Sequence, residues 1–74
     1  MQITIKLFAA LRKGRFNIET EDFPIGTTVG EVIRLLDISE KEITLAFVNG
    51  RHAELDTKLM EGDTLALFPP VGGG

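Results

Sequence analysis

The sequence has no cysteine, no tryptophan and no tyrosine, and its one histidine is His52. Without cysteine there can be no disulfide, no thiolate-bound zinc and no thiol nucleophile. His52 stands beside Arg51 with no second histidine to share a metal or a proton, so it is expected at the surface. No Ser-His-Asp set and no glycine-rich phosphate loop between a strand and a helix can be named. No metal site is expected. Excess positive charge is lacking too. Eight Lys and Arg against eleven Asp and Glu leave a net charge of −3, which argues against nucleic acid as the main partner. No apolar run nears the roughly 20 residues that span a bilayer. The opening MQITIKLF alternates and lacks the basic-then-apolar order of a signal peptide. A soluble, cytoplasmic chain with no membrane partner is expected, and no self-sufficient enzyme.

What remains is one small, well-patterned domain. Its 74 residues are 43% hydrophobic and 26% charged, ordinary values for a globular chain. A chain this short buries only about 60% of the surface it exposes when unfolded, so packing must be well specified. Residues 2–8 alternate, with Ile3, Ile5 and Leu7 on one face and Gln2, Thr4, Lys6 and Phe8 on the other. Residues 15–23 repeat the pattern. Phe16 and Ile18 are expected inward, and Glu19, Glu21 and Asp22 on the solvated side. The two segments read as a hairpin.

Thr28 and Glu31 form a capping box. Behind it Val29, Val32, Ile33 and Leu36 make one apolar stripe, which predicts a helix over about 29–37. Gly30 costs that helix about 1 kcal/mol relative to Ala. An apolar run over 43–48 predicts a third strand. Asn49-Gly50 is a hairpin turn, and residues 51–53 a short return strand. Leu59 and Met60 are expected in the core. After the Gly62-Asp63 turn, residues 64–68 form a last strand with Leu65 and Leu67 on one face. The order is β-β-α-β-(β)-β, so the helix must cover one face of the sheet.

The end of the chain carries the functional signal. Pro69 and Pro70 close the last strand and stiffen the base of the tail. Val71 leads into Gly72, Gly73 and Gly74. Glycines make a thin thread, able to enter a narrow pocket and bring a carboxylate to a reactive centre. A flexible tail over 71–74 on a domain over 1–70 is expected.

The run Leu59-Met60-Glu61-Gly62-Asp63-Thr64-Leu65-Ala66-Leu67-Phe68-Pro69-Pro70-Val71-Gly72-Gly73-Gly74 closely resembles the end of the molybdopterin synthase small subunits, the MoaD-like members of the ThiS-like sulfur carriers. Leu7-Phe8-Ala9-Ala10-Leu11-Arg12 resembles the first strand and following turn of that family, and Phe47-Val48-Asn49-Gly50 its central segment. The stretch between helix and third strand is shorter here than in many members. The resemblance implies an α+β, ubiquitin-like β-grasp: a mixed sheet of four to five strands, one main helix on one face, and the last strand between the first and third. The other face would then present Thr4, Lys6, Phe8, Ala66, Phe68, Ala46 and Val48, an apolar surface suited to a partner.

The resemblance also implies a chemistry. The Gly74 carboxylate would be adenylated and converted to a thiocarboxylate, with Gly72 and Gly73 giving access. Phe68, Pro69, Pro70, Val71, Phe8, Ala66, Val48 and Arg12 would meet partners. Those partners would be an adenylyltransferase related to ubiquitin-activating enzymes, which uses ATP, and a large molybdopterin synthase subunit in a heterotetramer. The carrier itself would bind no cofactor. Arg12 reads equally well as a solvated turn residue beside Lys13 and Arg15. Other uses of the fold stay open: sulfur for thiamine thiazole or a tungsten cofactor, a protein modifier joined to lysines through Gly74, or an interaction domain with an inert tail.

Overall fold

The alternation at the start of the chain becomes β1, Gln2–Leu7, with Ile3, Ile5 and Leu7 fully buried. The structure is a computed structural model and describes residues 1–70; Val71, Gly72, Gly73 and Gly74 lie outside the described residues. After β1 come β2 (Ile18–Asp22), α1 (Val29–Leu35), β3 (Leu45–Val48), β4 (Arg51–His52) and β5 (Thr64–Phe68). The sheet order is β2-β1-β5-β3-β4. β5 lies centrally, parallel to β1 and antiparallel to β3. Val29, Val32 and Ile33 of the helix pack on Ile3, Ile5, Leu7, Leu65 and Leu67 of the sheet. This is the β-grasp arrangement that the resemblance implies.

The helix starts where the capping box places it. The Glu31 amide donates to Thr28 Oγ1 at 3.2 Å, and the Thr28 amide to Glu31 Oε1 at 2.9 Å. It ends two residues before the expected 37. Asp37 adopts φ 59°, the Ile38 amide donates back to the Ile33 carbonyl and the Asp37 amide to that of Arg34. This double closure satisfies carbonyls that the helix leaves open. Ile38 is buried beside it.

Several expectations on burial are corrected. Ile18 is exposed at 55%, not inward, because it pairs with Lys6 on the face away from the helix. Phe16 does reach the core, but from the connection before β2. Glu19 and Glu21 lie opposite Ile5 and Ile3, on the helix side, yet at an edge strand where water still reaches them. Leu59 is buried as expected, whereas Met60 is 69% exposed. The Met60 amide, not its side chain, is the anchor, donating to Asp63 Oδ2 at 2.8 Å.

The third strand is shorter than 43–48 and faces the other way. Ala46 pairs with Leu67 and Val48 with Leu65, both buried. Ala46 and Val48 therefore share the helix face, where Ala46 is buried and Val48 packs against the core. Leu45 and Phe47 take the outer face. A shift of one residue swaps every side chain across a sheet. A run as apolar as Ile43–Val48 carries no alternation to fix it.

Candidate functional site

Three of the five phenylalanines meet on the face opposite the helix, at the end of β5 from which the tail continues. Phe8 follows β1, Phe68 ends β5 and Phe47 comes from β3, so the parallel and antiparallel pairings of β5 bring them together. The Phe8 and Phe68 rings stack at 4.3 Å, 12° from parallel. Phe47 meets Phe68 edge to face at 5.7 Å. His52 meets Phe47 edge to face at 6.0 Å. The Arg12 guanidinium lies over Phe8, 5.5 Å from the ring centre. These distances suit ring and cation–ring attraction. A continuous row results: Arg12, Phe8, Phe68, Phe47, His52.

The backbone fixes this row at the tail root. The Phe8 amide donates to the Leu67 carbonyl at 3.2 Å, and the Thr44 amide to that of Phe68 at 2.8 Å. Pro69 follows half-buried and Pro70 exposed. Ala66 lies between Phe47 and Lys6 across the sheet. Its methyl keeps the middle of the patch low. Of the partner residues expected from the sequence, Phe8, Phe68, Ala66 and Arg12 gather on this face, and Val48 does not. Val48 belongs to the helix side, for the reason of register given above. Ala46 leaves the patch likewise.

Phe47, Leu45 and His52 are the members that sequence reasoning missed. Side-chain size was the available signal. A helix packed over the sheet centre favours the small Ala46 beneath it, which sends Phe47 outward. His52 is at the surface as expected, but as the end of the row.

Charge is arranged with some order. Lys6 and Arg12 border the patch, while the exposed helix face carries Glu31 beside Arg34. The Thr28 backbone amide, then its hydroxyl, holds the Glu31 carboxyl below the usual 4.5. No group of three His, Cys, Asp or Glu able to hold a metal occurs among the described residues. No helix is long and apolar enough to cross a membrane among them. The patch offers stacking and apolar contact, with Lys6 and His52 at its border. Gly74, Gly73, Gly72 and Val71 lie outside the described residues.

Known proteins share this architecture. The small archaeal modifier protein 1 of H. volcanii is 30% identical, with 95% of this chain and 98% of that one covered and a TM-score of 0.77. A putative molybdopterin converting factor, subunit 1, from Pyrococcus furiosus is 26% identical over 96% and 99% of the two chains, with a TM-score of 0.78. The fold recurs at 24% identity and TM-score 0.68 in a complex of subunits 1 and 2 of molybdopterin-converting factor from Helicobacter pylori 26695, with 100% of both chains covered. Comparison with curated proteins gives no match. The model of the ThiS family matches residues 5–74, nearly the whole sequence and all of the glycine run. The chain belongs to the ThiS family.

Proposed function

We propose that this protein is a sulfur carrier whose Gly74 carboxylate is adenylated and then converted to a thiocarboxylate. The observation that carries this is the family match running through residue 74, on a domain whose aromatic patch adjoins the root of that same tail. The carboxylate is anionic at neutral pH. One of its oxygens attacks the α-phosphorus of ATP held by a partner adenylyltransferase. The bond to the β-phosphate breaks and pyrophosphate leaves. A sulfide equivalent from a donor then attacks the acyl carbon, and AMP leaves with the bonding electrons of the acyl–oxygen bond. The ATP site and the catalytic side chains belong to the partner. This chain supplies the patch, the stiff Pro69-Pro70 exit and the thread.

The likeness to a putative molybdopterin converting factor subunit 1 favours delivery of that sulfur to a pterin precursor, as the small subunit beside a larger one. The test is the intact mass of the chain purified from cells that make an adenylyltransferase and a sulfur donor. A population heavier by one oxygen-to-sulfur exchange, mapped to the C-terminal peptide, is expected. An unmodified carboxylate despite active partners would sink the proposal.

A second use of the same acyl-adenylate has its own support. The H. volcanii relative is a modifier protein by name, at 30% identity. Attack by a lysine amine in place of sulfide would join Gly74 to a target. Slow-migrating conjugates that vanish when Gly74 is deleted would identify that use.

A further inference from the structure

The Phe8–Arg12 segment is built in a way that docking alone does not require. Ala9 adopts φ 51°, the left-handed region, although it is not glycine. A Cβ makes that conformation costly, by about 1–2 kcal/mol, and such strain persists only where the surroundings impose it. Here it turns the chain directly after Phe8 into the 3-10 turn Ala9–Arg12. The Leu11 amide closes the turn on the Phe8 carbonyl at 3.1 Å. Arg12 then reaches back. Its Nε donates to the Leu7 carbonyl at 2.8 Å, and its guanidinium lies over the Phe8 ring. Arg12 thus holds the Leu7 carbonyl and the Phe8 ring at once. Phe8 in turn stacks on Phe68, the last residue of β5.

Charge does not explain these contacts. Among the described residues no carboxylate pairs with Arg12; the ion pair there joins Arg15 and Glu42 at 3.9 Å. What Arg12 uses is shape: a planar group over a ring and an Nε–H aimed at a carbonyl. Lysine carries the same charge but neither feature.

The geometry points to Arg12 as a positioning residue: through Phe8 it holds Phe68 in place, and so fixes where and in which direction the chain leaves the sheet at Pro69. The functional consequence rests on the sulfur-carrier reading, since only a tail that must enter a partner needs an aimed root. The role differs from an ion pair between Arg12 and an acidic partner, where any cation would serve.

The test compares Arg12→Lys and Arg12→Gln with the unaltered chain by amide hydrogen exchange. The Thr44 amide, bonded to Phe68, and the Phe8 amide, bonded to Leu67, report the tail root. Ile5 and Leu65 report global opening. Both variants are expected to exchange faster at Phe8 and Thr44 by at least about fivefold, the lower bound for losing one exposed cation–ring contact plus one hydrogen bond, with Ile5 and Leu65 unchanged. An Arg12→Lys chain that protects Phe8 and Thr44 as well as the unaltered one overturns the proposal. So does a rise of equal size at all four amides, which would mean general destabilisation. A second readout is ATP–pyrophosphate exchange by an adenylyltransferase that activates the unaltered chain. Equal loss in the lysine and glutamine variants is expected, and full rescue by lysine overturns the positioning role in favour of ion pairing. If the unaltered chain supports no such exchange with any adenylyltransferase, the sulfur-carrier reading fails, while the amide measurement still decides the role of Arg12 in the fold.

Discussion

Asn49 and Asp63 are joined side chain to side chain, Nδ2 to Oδ1, at 2.8 Å. The bond ties the turn between β3 and β4 to the turn before β5. Asn49 Oδ1 also accepts from the Thr64 amide at 2.9 Å, and its own amide donates to the Thr64 carbonyl at 2.9 Å. Its backbone sits at φ 52°. Asn49 thus serves two needs, a left-handed turn and a bridge. Two substitutions separate them. Asn49→Gly keeps the turn and loses the bridge, at an expected cost of about 2 kcal/mol. Asn49→Ala loses both, at about 1 kcal/mol more. Urea denaturation of the two variants checks the difference, and equal midpoints would count against it.

Phe68 and the neighbouring Leu67 should divide binding from stability. Leu67 is fully buried under the helix, and Phe68 is half-buried on the opposite face. Leu67→Ala should cost about 3 kcal/mol of stability and leave the folded fraction competent to bind. Phe68→Ala should cost less stability yet weaken adenylyltransferase binding at least about tenfold, as expected for an aromatic anchor. Calorimetric titration beside thermal unfolding makes the comparison. Unchanged binding by the Phe68 variant would remove the patch from the docking surface.

Gly30 should resist the usual helix improvement. A methyl there would meet the Leu55 carbonyl oxygen at 3.1 Å, and the Gly30 amide already bonds that oxygen at 2.8 Å. Backbone held at both ends has little room to yield. Gly30→Ala is expected to lose stability, against the gain of about 1 kcal/mol that helix propensity alone promises. A raised melting temperature would show that the Leu55 segment moves aside freely.

Glu31 should give the chain a small acid dependence. Its folded-state pKa lies below the usual 4.5 because the Thr28 amide donates to the carboxylate. A depressed pKa means that the unfolded chain binds the proton more readily. The contribution is therefore complete above the unfolded value and fades as pH falls through the folded one. Glu31→Gln should remove this slope while stability near neutrality drops only slightly. Denaturation midpoints of both chains, from neutral pH down to below 4.5, provide the check, and parallel curves would contradict it.

Much of the fold is legible in the sequence where one local signal has one meaning. Thr28 with Glu31, Asn49 with Gly50 and the alternation Ile3-Ile5-Leu7 each specify geometry within a few residues. The same kind of signal stands at Ser39 and Glu42, where a second capping box starts a 3-10 turn at Glu40–Glu42, and that one is easy to pass over. Facing is harder. Ile18 and Val48 are apolar, but which side they take depends on the strand opposite, and no local pattern contains that. The patch is half legible for the same reason. Phe8 and Phe68 follow from alternation in their own strands, while Phe47 needs the register of β3 on β5. The strain at Ala9 is not legible at all, because alanine gives no warning of a left-handed backbone.

The placement of β5 has a consequence during synthesis. Of the described strands the one at the centre of the sheet is made last, and it pairs with β1 some sixty residues earlier. A nascent chain can form the hairpin of β1 and β2 and the first turns of α1 from local contacts, but the sheet has no middle until Phe68 has emerged. Termination before that point leaves β1 and β3 without the strand that joins them. A chain that presents the assembled aromatic patch has therefore been translated through Phe68.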